Sequence, residues 1–351
     1  MVWQDTRSTD AYIGRMIYGQ RVASGGLVIG DPSSNILITD SGEEGVYGEH
    51  SLTYNTQHKQ YLVAFDSSRP SPGSFGFTNK GIFGRRITLF GIPDPGGDIP
   101  IATTLNGGNT LSHVIYNAIN DQYLSIFSCG DTYYHVCRQR LRWEGTRLGG
   151  FTQVSGSINS ETDVTGAYNT SNTQYLTVWV DERNGNPDIY GQIYDEEGFP
   201  VGSNFAIRRE QGSQLAPSVA FNSIDQIYLV TWYDEADNSI EWSLISSLGH
   251  YLNSGRVVMA EAIDRHPAAA YNSTPDDNRF AIVYEELFPG DTDPSLAGLL
   301  IDATSGTPAG NFGLGYPGSD MQDPDIVYHP GNNRYMVVWQ DNRDDPGDIY
   351  G

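Results

Sequence analysis

The sequence predicts an all-β chain, a β-propeller of four-stranded antiparallel blades, on three observations. A block of aromatic, turn and apolar residues recurs along the 351 residues. Its strands alternate and are rich in β-branched residues. No segment sustains a helical period between capping signals. The clearest copy reads VTGAYNTSNTQYLTVWVDERNGNPDIYGQIYDEEGFPVGSNFAI, from Val164 to Ile207. Units of four strands repeating at roughly 50 residues are propeller blades rather than leucine-rich or helical solenoids.

Each unit reads as strands A to D. Strand A is short and rich in small residues, as in Pro217-Ser-Val-Ala-Phe221 and Pro267-Ala-Ala-Ala-Tyr271, which suits the crowded innermost strand. It closes on an aromatic at Tyr54, Tyr116, Tyr168, Phe221, Tyr271 and Tyr328. Polar turns such as Thr170-Ser-Asn-Thr173 then join A to B as hairpins. Strand B closes on Trp3, Phe65, Phe127, Trp179, Trp232, Tyr284 and Trp339. These aromatics are expected to pack between neighbouring blades, a structural role. Strand C recurs as Ile17-Tyr18-Gly19, Ile82-Phe83-Gly84, Ile189-Tyr190-Gly191, Leu296-Ala297-Gly298 and Ile349-Tyr350-Gly351, with degenerate copies near Val136 and Ile240.

Seven B strands and seven C elements stand against six A and six D strands. Seven blades, the two terminal ones incomplete, accommodate every B strand. The alternative is six blades, one shared between the chain ends, which leaves one apolar B–C hairpin without a place. The expected units run approximately 1–44, 45–108, 109–161, 162–213, 214–265, 266–320 and 321–351 of a single propeller domain. The abrupt start at strand B and stop after strand C lead us to expect a segment of a longer polypeptide.

Charge narrows the function. With 20 Lys+Arg against 43 Asp+Glu the formal charge is −23. Clustered cations for phosphate recognition are missing, so nucleic acid is not an expected partner. Docking on anionic membranes is disfavoured for the same reason. No apolar run reaches the length of a membrane span, and no secretory signal is visible. The 22 Tyr, 13 Phe and 6 Trp set the chain apart from acidic disordered segments.

The runs VWVDERNGNPDIYGQ, VVWQDNRDDPGDIYG and VWQDTR resemble repeats of large secreted bacterial propeller proteins. As architecture the resemblance covers nearly the whole chain, and it is sharp only in the three units that carry these runs. It implies an extracellular or cell-surface module and no defined reaction. The Ser-x-Asp-x-Gly-x-x-x-Trp box of sialidases is absent, as is the Gly-His…Trp-Asp pattern of tryptophan–aspartate repeat propellers.

Three sets of residues are candidates for chemistry. The residues preceding strand A, Glu49, His50, His113, Asp163, His266 and Asp323, are expected at the mouth of the central channel. There, imidazoles and carboxylates from several blades would bind a ligand or metal, or line a hydrated channel. The B–C loops place Asp181, Asp188, Asp341 and Asp348 somewhat as calcium loops do, which makes calcium the one candidate cofactor. Arg183 and Arg343, third in those loops, favour a structural reading in which the guanidinium lies between the flanking aspartates. Cys129 and Cys137, the only cysteines, bracket a B–C hairpin where that turn is missing. A disulfide is expected between them, on the acidic composition and the resemblance, in keeping with an oxidising compartment, with two free thiols in a cytosolic protein as the alternative.

No Gly-x-Ser-x-Gly elbow, P-loop, dinucleotide fingerprint or His-Glu-x-x-His occurs. The expected function is therefore a non-catalytic scaffold binding a protein or a glycan, with the loops Ser67–Lys80 and Glu286–Ser295 as recognition elements. The alternative is a carbohydrate-active enzyme, a glycosidase or lyase, at the channel mouth.

Overall fold

Every strand of the repeat finds its place in a run of antiparallel sheets. The computed structural model describes residues 1–5, 16–23, 26–29, 35–39, 46–70, 77–103, 108–130, 132–156, 159–259, 266–274, 276–287, 290–315, 320–342 and 348–351. The first sheet holds β1 (Val2–Asp5), β2 (Met16–Gly19) and β3 (Ile36–Leu37). The second holds β4 (Val46–Asn55), β5 (Gln60–Pro70), β6 (Phe77–Thr88) and β7 (Ile99–Thr103). The third holds β8 (Gly108–Asn117), β9 (Gln122–Gly130), β10 (His135–Arg142) and β11 (Thr152–Gln153). In the fourth are β12 (Glu161–Asn169), β13 (Gln174–Asp181), β14 (Asp188–Tyr194) and β15 (Pro200–Arg208). In the fifth are β16 (Gln214–Asn222), β17 (Ile227–Asp234), β18 (Ser239–Ser246) and β19 (Tyr251–Val258). The sixth comprises β20 (Ala268–Asn272), β21 (Arg279–Glu286), β22 (Ser295–Asp302) and β23 (Pro308–Gly313). The last comprises β24 (Met321–His329), β25 (Arg334–Asp341) and β26 (Asp348–Tyr350).

The chain is thus a seven-bladed β-propeller, all-β among the described residues, with three strands in each terminal blade. The six-bladed alternative is corrected, because β1–β3 and β24–β26 are separate sheets. Each terminal B–C hairpin has its own cross-strand aromatic pair, Trp3 opposite Tyr18 and Trp339 opposite Tyr350. Cα packing divides the chain into one unit of Met1–Val164 with Glu196–Phe199, and a second of Thr165–Asp195 with Pro200–Gly351.

Within each unit the core lies between consecutive sheets. In the first, Val63 and Phe65 of β5 pack with Ile17 and Ile38, while Leu62 and Ala64 of the same strand pack with Val114, Tyr123 and Phe127. In the second, Tyr228, Val230 and Trp232 of β17 pack with Leu176 and Val178, while Leu229 packs with Phe280 and Ile282. Successive residues of a strand point to opposite faces, so strand B serves two cores at once. This is why its residues are apolar nearly without interruption, as in parallel or sandwiched strands, rather than alternating with polar ones. Trp179 and Trp232 are buried, whereas Trp339 is half-buried.

The repeated aromatic and asparagine have separate tasks. The aromatic of strand A stands directly opposite the first aromatic of strand B, and the rings touch: Tyr168–Tyr175 and Phe221–Tyr228 at 5.0 Å, Tyr271–Phe280 at 5.2 Å. The following Asn117, Asn169 and Asn222 are buried, and each Oδ1 accepts two backbone N–H groups of the hairpin turn. Asn222 Nδ2 donates to Asn278 Oδ1 at 3.1 Å, and Asn55 Nδ2 to Tyr123 Oη at 3.1 Å, tying one blade to the next.

Strand C ends its motif in glycine for a steric reason. A Cβ on Gly191 would lie 2.9 Å from Ile207 Cδ1, and one on Gly84 3.1 Å from Ile101 Cδ1. The same atom on Gly298 would run into the Phe312 ring. The glycine lets a large apolar side chain of strand D fold over strand C.

One expected loop is shorter than its sequence suggests. Ser67, Ser68 and Arg69 continue β5 in register with Gly81, Lys80 and Asn79, so residues 67–80 are mostly a lengthened hairpin. Glu286 and Ser295 pair directly, which leaves the connection between them as the B–C loop of its blade.

Candidate functional site

The side chains that converge in the second unit come from two blades. His266 precedes β20, Glu285 lies near the end of β21, and Asp323 lies near the start of β24. Their ligand atoms lie within 4.8 Å of one another, and this is the group of three metal-ligating side chains found among the described residues. His266 Nδ1 stands 3.2 Å from Asp323 Oδ1 and 4.0 Å from Glu285 Oε2. The outer two are exposed (57% and 62%), whereas the Glu285 side chain is 4% exposed.

Local structure explains the convergence. Between Gln322 and Asp325 the pairing with β25 shifts register, and Asp323 there adopts a left-handed φ of 49°. The resulting bulge turns the Asp323 N–H onto Glu285 Oε1 at 2.6 Å. The His266 N–H reaches Glu285 Oε2 at 3.3 Å. Ala216 has the same left-handed backbone in β16, so the bulge belongs to the blade and the chemistry to the residues placed on it. Burial raises the pKa of Glu285 above its ordinary value, a shift held back by the Asp323 N–H and by the charge of His266.

Sequence reading had His266 and Asp323 and missed Glu285. A signal existed. In other blades the residue after the strand-B aromatic is Gln4, Ser128, Val180, Tyr233 or Gln340, and an acid there occurs at Glu285 and Asp66. Asp66 is likewise buried, with its carboxylate against the bulge glycine Gly48 of β4.

The remaining channel-mouth candidates belong to the first unit. Glu49 is exposed on β4, and the neighbouring His50 Nε2 is 3.3 Å from the Val2 carbonyl. Asp163 is exposed on β12 with a left-handed φ of 49°. His113 is partly covered on β8, and burial lowers its pKa to about 4.

In the B–C loop of the fourth blade, Asp181 is fully buried and faces Asp188 across the ladder. Arg183 Nε donates to Asp181 Oδ1 at 2.8 Å and Nη2 to Oδ2 at 2.5 Å, and Trp179 Nε1 adds a bond to Oδ2 at 2.9 Å. The guanidinium lies 4.2 Å from the centre of the Tyr190 ring and donates to Asn204 Oδ1 at 3.0 Å. Asp188 is held by Asn184 at 2.7 Å and Asn186 at 3.1 Å. Arg183 thus supplies at Asp181 the positive charge that a calcium ion would supply. In the last blade Asp341 is buried and accepts from Trp339 Nε1 at 3.3 Å, while Arg343 and the Asp348 side chain lie outside the described residues.

A disulfide joins Cys129 and Cys137, with Cα atoms 5.9 Å apart. Cys137 pairs with Phe127 as Tyr190 pairs with Trp179, so the bridge staples the third blade where the fourth uses the Asp–Arg turn.

No family model and no curated protein matches the chain. Solved structures do. The NanB sialidase of Streptococcus pneumoniae is similar over 96% of this chain and 62% of its own, at 10% identity and a TM-score of 0.51. A Dyadobacter fermentans protein of unknown function matches over 90% of this chain and 95% of its own, at 13% identity and a TM-score of 0.57. An ulvan lyase, from a family of polysaccharide lyases, matches over 86% and 78%, at 9% identity and a TM-score of 0.57. The likeness is one of fold. The chain spans less than two thirds of the sialidase's length.

Proposed function

We propose that the chain is a binding propeller of the extracellular space or cell surface that recognises a glycan without cleaving it. One observation carries the non-catalytic half. Glycosidases hold their two carboxyl groups about 5–5.5 Å apart when retaining and about 6.5–9.5 Å apart when inverting. The Glu285 and Asp323 ligand atoms lie within 4.8 Å of each other, and His266 Nδ1 is 3.2 Å from Asp323 Oδ1 and 4.0 Å from Glu285 Oε2, which supports a liganding rather than an acid–base pair of carboxylates.

The disulfide supports an oxidising compartment. No helix among the described residues is long and apolar enough to cross a membrane. Two solved propellers of this fold are, by name, a sialidase and a polysaccharide lyase, which supports a glycan over a protein as the ligand. The hairpin of β5 and β6 and the loop between Glu286 and Ser295 are the proposed recognition elements.

A second reading, a hydrolase or lyase with Glu285 as general acid, draws on the raised pKa of that buried carboxyl. A glycan-array screen beside a panel of glycosidase and lyase substrates separates the two. The proposal expects retention of particular glycans and no turnover. Turnover abolished by Glu285→Gln would replace it with the enzyme, and an array without any retained glycan would remove the glycan as ligand.

A further inference from the structure

We propose that His266, Glu285 and Asp323 form a binding site for a divalent transition-metal ion of the Zn2+ class, joining the sixth and seventh blades. The site shares its residues with the non-catalytic reading above, but metal binding is read out without any glycan.

Spacing is the first argument. Nitrogen and oxygen ligands held at about 2.0–2.2 Å from a tetrahedral ion stand about 3.3–3.6 Å from each other. The two separations from His266, 3.2 Å and 4.0 Å, bracket that value, and all three ligand atoms lie within 4.8 Å of one another. The outer two ligands are more than half exposed, so small side-chain rotations close the difference without disturbing the sheet.

The second argument is orientation. A metal-ligating carboxylate is normally fixed by hydrogen bonds from its surroundings. Glu285 has this support from the Asp323 N–H at Oε1 and the His266 N–H at Oε2. A carboxylate oxygen has two lone pairs, so it can accept an N–H bond and ligate an ion at the same time. Two residues that supply side-chain ligands thus also hold the third ligand in place through their backbones.

Charge is the third. Two carboxylates meet one imidazole, and one of the carboxylates is buried in the blade. A buried anion is costly unless a cation stands against it. A protonated His266 balances one of the two acids, whereas a dication that takes the imidazole as a ligand balances both.

The donor set selects the ion. Calcium takes six to eight oxygens, and magnesium keeps most of its water. An imidazole nitrogen with two carboxylates favours zinc and its neighbours in the first transition row. Three protein ligands also leave a coordination position for water.

The experiment uses the full chain, stripped with EDTA and dialysed against ZnCl2, CaCl2 or MgCl2, with bound metal counted and melting followed in parallel. Wild type should retain a single equivalent of Zn2+ and melt higher with it, while Ca2+ and Mg2+ change neither. His266→Gln and Asp323→Asn, at exposed positions that leave folding intact, should each weaken Zn2+ binding at least about 10-fold. His250→Gln, on an exposed turn in the preceding blade, should bind as wild type does. Zn2+ retention that survives both substitutions, or no retention by wild type, overturns the proposal. Metal counting needs no glycan, so its failure is distinct from that of the binding proposal.

Discussion

Replacing Arg183 by alanine takes away more than an exposed charge. The residue's head group makes two bonds to a fully buried carboxylate, one bond to Asn204, and a face contact with Tyr190. Exposed ion pairs contribute about 0–1 kcal/mol. Breaking a buried pair costs about 3–5 kcal/mol because the remaining charge is stranded. Here Asp181 is buried but retains Trp179 Nε1 and the residue-183 N–H, and the Arg183 side chain is 27% exposed. An intermediate cost of about 2–3 kcal/mol follows, equivalent to a fall in melting temperature of roughly 3–4 °C for a chain of this size.

The sign of the pH effect provides a check. Burial pushes the Asp181 carboxyl up, but the donors of Arg183 and Trp179 outweigh it and hold the pKa below its ordinary value. A depressed carboxyl contributes stability that is present above its unfolded pKa and lost as pH falls through the folded one. The gap between wild type and Arg183→Ala should therefore be full at neutral pH and narrow in acid. In a double-mutant cycle, Asp181→Asn should recover part of the loss by removing the stranded charge. Melting of Arg183→Ala equal to wild type at neutral pH, or full additivity in the cycle, would refute the reasoning.

Other expectations concern single elements. Gly298→Ala should destabilise by about 1–3 kcal/mol through overpacking against Phe312, read by denaturant unfolding, whereas an unchanged midpoint would mean that strand D shifts freely. Converting both Cys129 and Cys137 to serine should lower stability by about 2–3 kcal/mol on the loop-entropy model for so short a loop, and reductant should lower the melting of wild type only. His113, its pKa lowered to about 4 by burial, is neutral in the native blade. The unfolded chain then binds more protons as pH falls from about 6.5 toward the folded value, so stability drops across that window. Partial solvent access caps the loss at about 3 kcal/mol, and His113→Gln should flatten that part of the pH–melting curve if the assignment is right.

The repeat made the blade legible before any coordinates. The periodic aromatics, the A–B turns and the Ile-Tyr-Gly motif are local devices, written at each site where they act. Counting strand B against strand A indicated seven blades with incomplete ends, and the cysteine spacing marked the bridge. The aspartate at the end of strand B and the arginine two residues on also read as a pair from sequence, since they share one turn.

Tertiary structure decided what depends on neighbours far apart in the chain. Strand B looked alternating in sequence, yet Val63 and Phe65 serve one core while Leu62 and Ala64 serve another. Only packing between sheets shows that both faces are dry. Arg183 chose Asp181 and the Tyr190 ring as partners, while Asn184 and Asn186 took Asp188, a division that spacing alone leaves open. Glu285 became visible because a bulge in β24 of the next blade aims an N–H at it across 38 residues of sequence. Local propensity specifies a strand and its turn, but which acid meets which histidine depends on how separate blades stack, and that is set by long-range packing.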